Sequence, residues 1–295
     1  MYKLTKVMQF QSKIEGLFSI IFSENVLKRF EKYILYLAFF GFIIHLSIIL
    51  LSNYKLTGIS IIETNLFSDP IAALYTPFSF ILVYEAFLLI YYIPRSFTTA
   101  VGKQYEIISL IVIRKIFKDI PLIDLNSNWI ENPYNLQLIY DLVGILVIFF
   151  LIYLFKRTKQ NLPIKSVSEK LNQFISSKKL VSIVLIPILI GICVISFLSW
   201  FNGVIINQSF EGNINYLFFN DFFTLLILVD VFILLLSFAY TDRYSQLIRN
   251  TGFIISTILL RLSFSASGIT GILLIISGIV FGLLILLIYN AIEKE

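Results

Sequence analysis

Histidine and cysteine are nearly missing from this chain, and charge is thin. One His (His45) and one Cys (Cys193) stand among 295 residues. A single cysteine forms no intramolecular disulfide and no thiolate cluster. A single histidine falls short of the zinc and haem sites built on that residue, which need further ligands. Charged residues make up 14% of the chain, against about a quarter in an ordinary soluble domain. Also absent are a Walker sequence, Gly-x-Ser-x-Gly, His-Glu-x-x-His and a Thr-Val-Gly-Tyr-Gly filter. No segment carries arginine at every third position, as a voltage sensor does. A nucleophile needs a base, and His45 has no evident acid on its own helix. The expectation is therefore no metal, no cofactor, no enzyme and no nucleic-acid partner.

What fills the chain is apolar. Hydrophobic residues make up 58%, and the mean hydropathy is +0.89. Crossing a bilayer takes about 20 mainly apolar residues per helix. Six segments approach or exceed that length: 33–52, 71–93, 138–155, 180–200, 217–239 and 269–291. Two shorter stretches that carry charge, 104–118 and 250–266, count as spans because omitting them strands apolar runs between neighbours. Backbone polar groups in lipid must be satisfied internally. The expected fold is thus an all-α polytopic membrane bundle of eight transmembrane helices, in contact with the lipid bilayer.

Lysine and arginine give an orientation. With the N-terminus placed in the cytoplasm, eighteen of the twenty-three basic residues fall on one side. Lys55 lies in an outside loop, and Trp129 and Trp200 fall near the outer boundary, where aromatic anchors are expected. The reading is N-in, C-in, in the plasma membrane, with no cleavable signal peptide. The chain divides into a cytoplasmic amphipathic segment (1–32), a first four-helix repeat (33–155), a basic cytoplasmic linker (156–179) and a second four-helix repeat (180–295).

The repeat rests on short matches. Glu85, Phe87 and Leu89 recur as Asp230, Phe232 and Leu234. The run Ile107–Arg114 recurs as Ile254–Arg261 with five of eight residues identical, and Gly41 meets Gly191. Amphipathic stretches 12–22 and 164–175 open the two halves. Four spans per half leave both repeats in the same orientation, so the expected symmetry is a pseudo-two-fold along the membrane normal.

Charge inside a span is costly, roughly 2.5–3.5 kcal/mol on insertion scales. Glu85 and Arg114 lie at depths of about 12 Å and 16 Å on consecutive helices, and Asp230 and Arg261 repeat the arrangement. Two interhelical ion pairs are expected: Glu85–Arg114 and Asp230–Arg261. Two roles stay open for them. They lock helices together, or they form charge centres on an ion or proton path. His45 reads as a packing residue or a proton carrier. Asp141 and Asp221 read as hydrated positions near outer helix ends, with Lys115 or Lys118 near them. Gly278 and Gly282 form a Gly-x-x-x-Gly contact, inside the bundle or between protomers.

The half-chain pattern resembles the phosphate-starvation-inducible PsiE family of four-helix membrane proteins. The matching residues are Glu85, Phe87 and Leu88, a short turn, then Ile107, Ile108, Ile111, Arg114 and Lys115, with Asp119 beyond. In the second half they are Asp230, Phe232, Ile254, Ile255, Ile258 and Arg261, with Leu262 in place of the second basic residue. The resemblance implies a tandem duplication with a four-helix fold per half, and no settled activity. Two functional expectations follow from the residues. One is a transport or channel-like protein for an ion or small solute. The other is a non-transporting sensor or scaffold that binds a membrane protein partner or a second copy.

Overall fold

The structure, a computed structural model, describes residues 2–53, 70–120, 123, 129, 131–160, 169–202, 214–241, 243–266 and 268–294. Lys55, residues 161–168 and the Trp200 side chain lie outside these. Among the described residues the fold is all helix. The nine α-helices are α1 (Tyr2–Ile21), α2 (Glu24–Asn53), α3 (Tyr75–Tyr91), α4 (Phe97–Asp119), α5 (Pro133–Lys159), α6 (Glu169–Phe201), α7 (Ile214–Tyr240), α8 (Tyr244–Leu262) and α9 (Ile269–Ile292). A 3-10 turn, Pro70–Leu74, leads into α3.

Local chemistry sets several boundaries. Ser23 separates α1 from α2, and its Oγ accepts from Val26 N at 3.2 Å, the N-cap arrangement that satisfies a free first-turn donor. Ser96 does the same for α4, accepting from Thr99 N at 3.3 Å. Asn132 caps α5 through Tyr134 N at 2.9 Å, with Pro133 at the first helical position, where its missing N–H costs nothing. Gly268 precedes α9 with φ of 64°, a conformation that side chains disfavour.

Six stretches are long and apolar enough to cross a membrane by length and composition: Gln11–Leu51, Pro70–Tyr91, Pro133–Lys159, Leu171–Ser199, Asp221–Tyr240 and Ile269–Ile292. That is the make-up of a multi-pass integral membrane protein. The two charged stretches of the sequence reading, 104–118 and 250–266, fall in α4 and α8. These helices have 23 and 19 residues but are too polar to stand among the six. Helix also runs beyond the apolar spans at ends that carry lysine and arginine. α2 starts at Glu24 rather than near 33, and α5 and α6 extend to Lys159 and from Glu169 into the basic linker.

α4 and α8 occupy the middle of the bundle. α3 and α5 flank α4, α7 and α9 flank α8, and α4 touches α8. α2 packs on α3, α6 on α7, and α9 on α5. The large apolar side chains of α2, α5, α6, α7 and α9 include many that point outward, among them Phe40, Leu146, Ile195, Leu228 and Leu273. α1 lies along α6, where Lys179 meets Glu15 at 3.3 Å. Phe18, Phe22, Phe30, Phe87 and Tyr91 form an aromatic cluster that ties α1 and α2 to α3.

The Gly-x-x-x-Gly pair lies inside the bundle. A Cβ on Gly278 would sit 3.1 Å from the Ser256 carbonyl, and one on Gly282 would run into the Tyr105 hydroxyl and Ser256 Oγ. Gly191 has nothing within 4 Å of such a Cβ. Gly282→Ala should therefore lower the thermal midpoint in detergent, at a cost of about 1–3 kcal/mol for overpacking. Gly191→Ala should leave it unchanged or raise it. Thermal scans of the two purified variants against wild type check this; equal midpoints for Gly282→Ala and wild type would place α9 further from α8 than described.

Candidate functional site

The charged residues of the middle helices gather with partners from their neighbours. Glu85 on α3 and Arg114 on α4 are both buried, with Glu85 Oε2 3.0 Å from Arg114 Nη2. Charge rather than an aligned hydrogen bond holds that contact, because Oε2 receives no hydrogen bond. The other arm of the guanidinium donates to the Phe78 carbonyl at 2.9 Å, so Arg114 spans about two turns of α3.

In the second half Arg261 Nη1 lies 2.6 Å from Asp230 Oδ2. Thr257, one turn before Arg261 on α8, places its hydroxyl 2.7 Å from the same oxygen and 2.9 Å from the Ile254 carbonyl. Its single proton serves one of the two acceptors at a time. Arg261 Nη2 reaches Gln104 on α4 at 3.5 Å, the long end of a hydrogen bond. All four side chains are buried. The two pairs are thus not equivalent. Leu110 stands where Thr257 stands in the other half, and it is 50% exposed.

A third pair sits beside the first. Lys115 Nζ is 3.5 Å from Asp141 Oδ2, and Gln137 donates to Asp141 Oδ1 at 2.6 Å. Asp141 is 1% exposed, which corrects its reading as a hydrated interface residue. Position 141 turns inward toward α4, where lysine and glutamine replace water. Asp221 is exposed. His45 lies elsewhere, its Nδ1 2.7 Å from Thr76 Oγ1, joining α2 to α3. The four charge-pair residues lie on α3, α4, α7 and α8, whereas His45 is on α2.

Other polar contacts carry no signature in the sequence. Tyr105 Oη and Ser256 Oγ lie 2.6 Å apart, and Ser256 donates to the Gly278 carbonyl at 2.7 Å. These bonds link α4, α8 and α9. Glu106 lies between Lys103 (2.8 Å) and Lys156 (2.9 Å). Lys178 is buried, donates to the Arg95 carbonyl at 2.5 Å, and lies over the rings of Phe97 and Phe174 at 4.9 Å and 5.6 Å. Thr257 could have been found from the sequence, because i and i+4 share a helix face. Gln104 could not, since its partner is 157 residues away.

A cavity of about 150 Å³ reaches the first pair from the side of the bundle. It is lined by Glu31, Ile34, Leu35, Ile81, Tyr84, Glu85, Leu88 and Leu110. Tyr84 donates to Glu31 Oε2 at 3.2 Å. Among the described residues no cluster of His, Cys, Asp and Glu could hold a metal ion. Comparison of the chain with protein-family models, with curated proteins and with solved structures finds no match.

The pairing generates a reversal test. Glu85→Arg places a second guanidinium against Arg114 in a buried site; breaking such a pair costs about 3–5 kcal/mol. The single variant should give less monodisperse protein and a lower thermal midpoint, and Glu85→Arg/Arg114→Glu should recover part of both. Thr257→Val should cost about 1–2 kcal/mol, because Asp230 loses a hydroxyl that nothing replaces. Full yield and stability of the Glu85→Arg single variant would mean the two side chains do not meet.

Proposed function

We propose that this chain is a non-conducting integral membrane module, a sensor or scaffold rather than an enzyme or a channel. In this reading α2 to α9 all cross the bilayer, as two parallel four-helix repeats with both termini at the cytoplasmic face of the plasma membrane. Each repeat is read as a module similar to the PsiE family. At 1.5 Å per residue, α4 and α8 are about 34 Å and 28 Å long, close to the hydrocarbon thickness of roughly 30 Å. Neighbour order supports the repeat. The sequence of contacts α2–α3–α4–α5 recurs as α6–α7–α8–α9, and between halves α4 meets α8 and α5 meets α9, like with like, while α3 also meets α6, a contact that pairs unlike helices.

One observation carries the choice against conduction. Arg114 and Lys115 of α4 and Arg261 of α8 each face a carboxylate on a neighbouring helix, and the most complete set is Asp230, Arg261, Thr257 and Gln104, all buried. An ion path needs polar groups that face water and exchange partners. Here the carboxylates are closed by arginine, lysine and threonine from adjacent helices. Such sets hold helices in register.

Transport is the second reading, favoured by the lateral cavity at Glu85. Proteoliposomes decide between the two. The non-conducting module should show no proton, sodium or potassium flux above protein-free vesicles under imposed voltage or pH gradients. Flux that disappears in Glu85→Gln would replace the module reading with a transporter.

A further inference from the structure

Positive charge gathers without balance where the start of α4 meets the end of α5. Glu106 of α4 holds one ammonium on each carboxylate oxygen, Lys103 at 2.8 Å on Oε2 and Lys156 of α5 at 2.9 Å on Oε1. Lys159, one turn beyond Lys156, lies within electrostatic reach of both lysines and of Glu106. It is half-buried, and among the described residues it makes no hydrogen bond or ion pair. Three ammoniums thus surround one carboxylate and repel one another. The helix dipole accounts for cations in the last turn of α5. It does not account for their convergence with Lys103 of another helix. Behind Lys156, on the same face of α5, Tyr153, Phe149 and Leu146 are exposed. α5 is also one of the stretches long and apolar enough to cross a membrane, which puts its last turn at headgroup level.

We infer that Lys103, Lys156 and Lys159 bind the phosphomonoester headgroup of an anionic lipid, whose acyl chains lie along Tyr153, Phe149 and Leu146. The site names a partner for the module proposed above. It rests on α5 crossing the bilayer, and not on the absence of conduction. Charge selects the headgroup. Three lysines against Glu106 leave two positive charges over. A phosphomonoester carries about −1.5 to −2 near neutral pH and balances them. A phosphodiester carries a single negative charge and leaves one lysine unmatched. Hydrogen bonding agrees. Each ammonium offers three donors; Lys103 and Lys156 use Glu106 as one acceptor each, and Lys159 has none. The phosphate supplies three strong acceptor oxygens. Glu106 does not repel it at close range, because both of its oxygens are covered by lysine, and it keeps Lys103 and Lys156 together. The exposed apolar stripe of α5 favours a lipid over a soluble carrier of the same group. Basic pockets between membrane helices bind lipid headgroups in this manner.

Native mass spectrometry of the full-length protein in detergent, titrated with dioleoyl phosphatidate, tests the site. Phosphatidate should bind about tenfold tighter than phosphatidylglycerol with the same chains, since it brings a second negative charge to the lysines. Lys156→Gln/Lys159→Gln should weaken phosphatidate about tenfold and leave the thermal midpoint unchanged, because surface ion pairs contribute little to stability. Lys28→Gln/Lys32→Gln removes the same charge from exposed positions on α2 and should keep wild-type affinity. Glycerol 3-phosphate carries the same group without chains and should fail to displace phosphatidate at equal concentration. Displacement at equal concentration would overturn the lipid as the source and leave a soluble phosphomonoester in its place. Equal affinity for the two lipids, or equal affinities in the two double variants, would overturn the site. The titration imposes no gradient, so its failure removes the lysine site alone, whereas flux in proteoliposomes removes the non-conducting reading alone.

Discussion

A charge in a low-dielectric layer must meet an opposite charge or a set of hydrogen-bonding partners. That constraint orders this bundle. α4 and α8 carry Arg114, Lys115 and Arg261 along with Gln104, Ser109, Ser256 and Thr257. Neither helix could face hydrocarbon on all sides at reasonable cost. Both therefore lie in the middle, and the more apolar helices surround them. Outward-facing Phe and Leu side chains on the surrounding helices then follow from the solvent being lipid, not from poor packing.

The two halves meet the constraint differently. In the first, consecutive residues Arg114 and Lys115 point to opposite neighbours and pair with Glu85 on α3 and Asp141 on α5. α4 is thereby fixed on two sides by ion pairs. In the second, Leu262 follows Arg261 and is 46% exposed, so no counterpart of the lysine pair exists. α8 is tied instead to α7 through Asp230 and across to α4 through Gln104. Thr257 supplies what Leu110 cannot. The aliphatic Leu110 instead lines the cavity beside Glu85.

Much of this was legible in the sequence, for physical reasons. Apolar runs of about 20 residues declare themselves, since nothing else stabilises them. The four charged residues stood out because charge is so rare here, and equal depth on consecutive helices was enough to expect contact. Rotation about a helix axis is harder to read. Asp141 looked like an interface residue because depth alone places it near an end; which way it faces is set by Lys115 on α4 and by Gln137 one turn earlier on α5. The helices extend past the apolar spans for a related reason. Lys28, Arg29 and Glu31 break the apolar run without breaking the helix, since charged side chains are good helix formers and snorkel toward water. Contacts between distant helices, such as Tyr105 with Ser256, depend on how α4 and α8 pack, and no local pattern records that.

The glycines of α9 show how packing and polar satisfaction depend on each other. Gly278 and Gly282 let α9 approach α8 closely enough for Ser256 to donate to the Gly278 carbonyl at 2.7 Å. Ser256 is then held so that its Oγ also meets Tyr105, which the missing Cβ of Gly282 leaves room for. Tyr105 in turn stacks edge-on against Phe155 of α5, with 5.0 Å between ring centroids. A chain of contacts thus runs α9–α8–α4–α5. Without a hydrophobic driving force between helices in lipid, close backbone approach and buried hydrogen bonds are what favour association. The small residues and the polar ones are therefore one device: removing room for Tyr105 would orphan Ser256, and losing Ser256 would leave the glycine contact with van der Waals packing alone.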